Sequence, residues 1–138
     1  MKELLYIQEH LNAPKNQYNS FGKYNYRSTE DILAAVKPLL TASKSVLTLT
    51  DDIVPINDRF YVKSTATLKT TSGEISTSAL AREPLTKKGM DDSQVTGAAS
   101  SYARKYALNG LFCIDDIKDS DSNSKILPQN NDNLDIGF

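Results

Sequence analysis

At 138 residues, with 39% apolar and 24% charged side chains, the chain suits one compact domain with a real core and is too short for two ordinary ones. No run approaches the roughly 18 apolar residues of a membrane span, and the N-terminus lacks a signal peptide's apolar stretch. One cysteine (Cys113) and one histidine (His10) exclude a disulfide framework and argue against a zinc site, so a reducing cytoplasm is the expected compartment. The net charge of −1 divides unevenly: residues 1–114 hold 14 Lys/Arg against 11 Asp/Glu, and residues 115–138 hold 2 against 6. A mildly basic body with an acidic tail is a common division between a binding domain and an interaction segment. The charge permits a polyanionic partner without demanding one.

Leu4, Leu5, Ile7 and Leu11 mark a short amphipathic helix, ended by Asn12-Ala13-Pro14. From Asn12 to Thr29 there is no acidic residue; Lys15, Tyr18, Phe21, Lys23, Tyr24, Tyr26 and Arg27 alternate with small polar residues. A second helix opens at Ser28, with Asp31 placed to complete a capping box and Ile32, Leu33, Val36, Leu39 and Leu40 on one stripe. Pro38 is expected in its last turn.

The period then changes from helical to alternating. Residues 46–53, 60–69 and 74–82 are rich in Val, Ile, Thr, Tyr and Phe. In the second run Phe60, Val62, Ser64, Ala66 and Leu68 share one face, and Gly73 supplies the turn into the third. An antiparallel three-stranded meander follows from these features. After a polar loop containing Lys87-Lys88-Gly89, a third helix is predicted over 93–108, with Asn109-Gly110 as its stop. Val95, Ala98, Ala99, Tyr102, Ala103 and Tyr106 form its packing face, which turns Arg104 roughly away from the body and puts Lys105 on the flank. Cys113, between Phe112 and Ile114, reads as a core residue. The fold class is α+β: a three-stranded meander packed with helices over residues 1–117, followed by an acidic tail, 118–138, of disordered composition.

Cations alternating with aromatics over 12–29 suit single-stranded nucleic acid, since bases stack on rings while Lys and Arg neutralise phosphate. The same residues also suit a polar loop whose tyrosines fold back on the body. Lys87, Lys88, Arg104 and Lys105 form either a second basic surface or two solvated stretches. Asp119, Asp121 and Asn123 begin like a calcium loop, but Ser124 stands at the required Gly and Asn130 at the final Glu. Gly22-Lys23 lacks the rest of a phosphate-binding loop, and His10 has no evident nucleophile partner. No catalytic centre, metal site or cofactor site is expected. The end of the chain, Asp132 to Phe138, resembles the acidic, aromatic-tipped tail of bacterial single-stranded DNA-binding proteins. That likeness implies a partner contact through Asp135, Ile136 and Phe138; Gly137 stands where such tips have Pro, and an inert disordered end is the alternative reading.

Two blocks carry a wider resemblance. Asn16–Ile32, with Asn19-Ser20-Phe21-Gly22-Lys23-Tyr24-Asn25-Tyr26-Arg27-Ser28 at its centre, is similar to the opening signature of the Erf recombination family. Lys88–Leu108, with Gln94-Val95-Thr96-Gly97-Ala98-Ala99-Ser100-Ser101-Tyr102-Ala103-Arg104-Lys105-Tyr106-Ala107-Leu108, is similar to its distal block; the likeness spans roughly residues 4–119. The resemblance implies ATP-independent annealing of complementary single strands in phage recombination, by a DNA binder rather than an enzyme, in the bacterial host cytoplasm. It also implies the ring-forming fold of Rad-type annealing mediators, a homo-oligomeric ring or helical arc, and a phage exonuclease or host repair proteins as partners of the tail. The chain is short for that family, so a larger C-terminal domain is not expected within it. Carried onto this sequence, the resemblance places Arg104 and Lys105 on the DNA backbone. Lys87, Lys88, Lys23 and Arg27 are further candidates for phosphate, and Tyr24 and Tyr26 for stacking. A single-strand coating protein without annealing activity is the alternative, and a metal-dependent nuclease a more distant one.

Overall fold

The computed structural model describes residues 1–85 and 89–115. Helix α1 (Lys2–His10) buries Ile7 completely and turns out of helical geometry at Leu11. A two-stranded ribbon follows, β1 (Gln17–Asn19) and β2 (Tyr24–Tyr26), paired antiparallel with Gln17 opposite Tyr26. Strands of three residues are too short to display alternation, and the sequence alone reads this segment as irregular.

Helix α2 (Thr29–Ser43) has the expected capping box: Ser28 Oγ accepts from the Asp31 amide, and Asp31 accepts from the Ser28 amide. Ile32 and Val36 are fully buried. The helix continues past Pro38 to Ser43. Proline removes the bond to the Ala34 carbonyl, and both residues are on the exposed side of the helix.

Strands β3 (Val46–Ile56), β4 (Arg59–Thr70) and β5 (Gly73–Arg82) form the expected meander in the order β3-β4-β5. β3 runs to Ile56, beyond the predicted end at 53, and includes Pro55, which an edge strand tolerates. Val62, Ser64, Ala66 and Leu68 are buried on one face of the central strand, while Phe60 on the same alternation is 52% exposed at the sheet's end. On the opposite face Thr65 pairs with Ser78 and Thr67 with Ser76 through hydroxyl contacts of 2.8 and 2.7 Å.

Helix α3 (Asp92–Phe112) packs across β4 and β5. It begins with a second capping box, Asp91 with Gln94. Val95, Ala99, Ala103 and Ala107, spaced by four, bring its backbone close to the sheet. Leu108, Leu111 and Phe112 then join Ile7, Ile32, Val36 and Leu68 in the main core, each large apolar side chain contributing about 1.5–3 kcal/mol. All three helices thus cover one face of the sheet.

Two expectations are corrected here. Asn109-Gly110 does not stop α3: Asn109 is buried, and a Cβ on Gly110 would lie 2.9 Å from Thr77 Cγ2, so glycine permits close helix–sheet contact. The stop is Cys113, in the left-handed region at φ 55, and it is exposed rather than part of the core.

Candidate nucleic-acid interface

The β1–β2 turn is fixed by its own side chains. Asn19 Oδ1 accepts from the amides of Phe21 and Gly22 at 3.0 and 2.9 Å, and Asn19 Nδ2 donates to the Tyr24 hydroxyl at 3.1 Å. The Tyr24 ring lies so close over Gly22 that a Cβ there would sit 2.3 Å from Cε1. Lys23 holds a left-handed conformation at φ 54 and is exposed.

This ribbon leads to the outer side of α3. Thr29 Oγ1 donates to the Ser101 carbonyl at 2.9 Å, joining the start of α2 to α3. Arg27 Nε donates to the Ala13 carbonyl at 2.8 Å, and its Nη1 donates to the Asp115 carbonyl, so the guanidinium ties the ribbon to both the α1 exit and the α3 exit. Between ribbon and helix is an open cleft of about 290 Å³ lined by Tyr26, Arg27, Thr29, Ser101, Tyr102 and Lys105.

Lys105 Nζ stands 5.8 Å from the Tyr26 ring centre, 5.6 Å from Tyr102 and 5.7 Å from Tyr106, within cation–π range of each. Tyr24 and Tyr26 have centroids 6.1 Å apart, and Tyr102 and Tyr106 are stacked at 6.3 Å. Four tyrosines and a lysine therefore form a track from the ribbon onto the helix. Tyr102 and Tyr106, predicted to pack on the sheet, are instead 55% and 44% exposed. The alanine stripe sets the buried direction of α3, and at about 100° per residue both tyrosines fall on its flank.

The orientations expected for the basic pair are exchanged. Lys105 turns outward to Tyr26, while Arg104 lies on the flank beside β3. Arg104 Nε approaches both Asp51 carboxylate oxygens at 3.2 Å, and Nη2 lies 3.2 Å from Oδ2. Asp51 also accepts from Ser64 Oγ at 2.6 Å and from Ser100 Oγ. Partial burial raises the Asp51 pKa, but hydrogen bonds from Ser100, Ser64 and Arg104 and the arginine's charge outweigh it and hold the carboxyl below its ordinary value. The structure thus brings Tyr24, Tyr26, Arg27 and Lys105 together, leaves Lys23 at the ribbon tip and commits Arg104 to Asp51. Lys87 and Lys88, the tail residues Asp135, Ile136 and Phe138, the 117/118 boundary and the calcium-like run lie outside the described residues. Among the described residues, no three or more His, Cys, Asp or Glu side chains gather as a metal site, and no helix is long and apolar enough to cross a membrane.

An α+β body with an aromatic and basic cleft built from both signature blocks is the setting for the sequence relationship. The chain matches the ERF superfamily over residues 1–135 and belongs to that family. It is 64% identical over 124 residues to the Essential recombination function protein of Salmonella phage P22; the match takes in 90% of this chain and 60% of the phage protein. No solved structure matches this fold.

Proposed function

We propose that this chain binds single-stranded DNA and anneals complementary strands without ATP, as the DNA-handling part of a phage recombination protein. The observation that carries the reading is the meeting of ribbon and helix, which places Lys105 among Tyr26, Tyr102 and Tyr106 beside the open cleft. Aromatic faces held beside a cation suit a strand whose phosphates are neutralised and whose bases stack. Family membership supports the recombination role, as does the name of the P22 relative.

In this mechanism no covalent bond is made or broken. Lys105, Lys23, Lys87 and Lys88 hold phosphates; Arg27 and Arg104 join them through the guanidinium N–H groups that the Ala13 and Asp115 carbonyls and Asp51 leave over. The tyrosines take base or sugar faces, leaving Watson–Crick edges open to a second strand. Protomers assemble into a ring or helical arc, as in the Rad-type mediators, so that clefts line up along one strand. The acidic tail, through Asp135, Ile136 and Phe138, offers a contact to a phage exonuclease or a host repair protein.

The test is duplex formation from two complementary labelled oligonucleotides, followed by energy transfer without ATP, in parallel arms with EDTA and with magnesium. Annealing faster than for protein-free strands, with both strands intact on a gel, is the expected outcome. Binding without acceleration would leave a single-strand coating protein. Strand loss that EDTA prevents would point to a metal-dependent nuclease.

A further inference from the structure

The most exposed large apolar side chain described is Phe21, at 99%, on the tip of the β1–β2 ribbon. Its exposure does not come from a loose turn. Asn19 holds the Phe21 and Gly22 amides, and the Tyr24 ring, bonded to Asn19 through its hydroxyl, lies against Gly22. A turn fixed in this way presents a phenyl ring to solvent at little further ordering cost on binding. The surroundings suit a polyanion: Lys23 stands two residues on, and no acidic residue occurs between Asn12 and Thr29. From the same tip, Tyr24 and Tyr26 lead to Lys105.

We propose that Phe21 is a nucleobase-binding residue, stacking on an unpaired base of the strand that the tyrosine track holds. This inference rests on the single-stranded DNA reading above. A phenyl face accepts any base, so the contact is indifferent to sequence. Its place at the tip of a ribbon lets it reach a base beyond the track. The competing occupant is a second copy of this chain, whose cavity of about 440 Å³ is lined by Phe60, Leu85 and Met90 together with Asp58, Glu83 and Asp92. Lys23 suits either occupant; what favours DNA is the continuity of the tip with Tyr24, Tyr26 and Lys105, which places Phe21 at the end of the same track.

The chain contains no tryptophan, so Phe21→Trp introduces a single tryptophan at the tip, excited selectively over the seven tyrosines. A thymidine oligonucleotide of about 20 nucleotides, longer than the site of a typical single-strand-binding domain, is titrated into this variant. An abasic strand of equal length serves as control, and anisotropy of a labelled copy reports binding independently. Stacking predicts that the thymidine strand quenches the tryptophan and the abasic strand does not. Phe21→Ala, with an unchanged circular dichroism spectrum, should bind about five- to fiftyfold more weakly, and Phe21→Tyr should restore most of the loss. Two results overturn the proposal while leaving DNA binding intact: a silent tryptophan on a strand that anisotropy shows to be bound, or an emission shift that follows protein concentration without DNA. Absence of oligonucleotide binding by the unsubstituted chain removes the DNA reading itself and this inference with it.

Discussion

Asp51 occupies the middle of an edge strand, yet it gathers three donors from two other elements: Ser64 on β4, and Ser100 and Arg104 on α3. It thereby clasps the free edge of the sheet to the helix. Because its carboxyl is held below the ordinary value of about 3.9, the unfolded chain takes up a proton at higher pH than the folded one. The clasp therefore contributes stability above about pH 4, and that contribution is lost as pH falls through the depressed value. Asp51→Asn should lower stability at neutral pH and make the acid limb of the stability curve shallower. Glu3 and Asp31 are also depressed and titrate in both proteins, so the difference between the two curves reports Asp51. Urea midpoints measured from about pH 2.5 to 7 give that difference; parallel curves would show that the carboxylate contributes no such linkage.

At the scale of elements, α3 contains two glycines in opposite situations. A Cβ on Gly97 would meet nothing within 4 Å, whereas one on Gly110 would meet Thr77 Cγ2 at 2.9 Å. Gly97→Ala should stabilise the protein by about 0.5–1 kcal/mol through helix propensity. Gly110→Ala should fall short of that gain by about 1–2 kcal/mol, because the Thr77 methyl must give way to the new Cβ. The denaturant midpoint of Gly110→Ala should lie below that of Gly97→Ala, and equal shifts would dismiss the contact. The same glycine shows where sequence reading stops. Asn109-Gly110 has the residues of a helix terminus, and only the sheet beneath explains why the helix runs through it. Patterns with a local cause were legible: the Ser28–Asp31 capping box, the β4 alternation and the Gly73 turn. The candidate site was legible as chemistry but not as geometry. The aromatic and basic character of 12–29 is plain in the sequence, but its contact with residues near 105 is a tertiary event. Helical spacing alone could not separate Tyr102 and Tyr106 from Ala99 and Ala103, since both sets recur every four residues. The narrow alanine stripe was the available signal, and taking it by itself as the buried axis would have placed Lys105 outward and Arg104 on the flank.

For the whole molecule, the balance of charge matters more than any single pair. Cations are spread over the described body, with Lys23, Arg27, Arg104 and Lys105 at the ribbon and α3, while six acids against two bases fall in residues 115–138. Removing residues 118–138 deletes four Asp and two Lys and changes the net charge from −1 to +1. If phosphate neutralisation drives binding, the acidic segment competes with DNA for the same cations, and its removal should tighten binding to single strands several-fold at about 50 mM salt. The Debye length shrinks to about 3 Å at 1 M, so the advantage should fade as salt rises. Anisotropy titrations of the full and shortened chains over a salt series read this directly. Convergence of the two curves at high salt supports electrostatic competition. A shortened chain that binds more weakly at every salt concentration would mean that the tail works with the binding surface, through assembly or direct contact, and would move the search for further DNA contacts beyond residue 115.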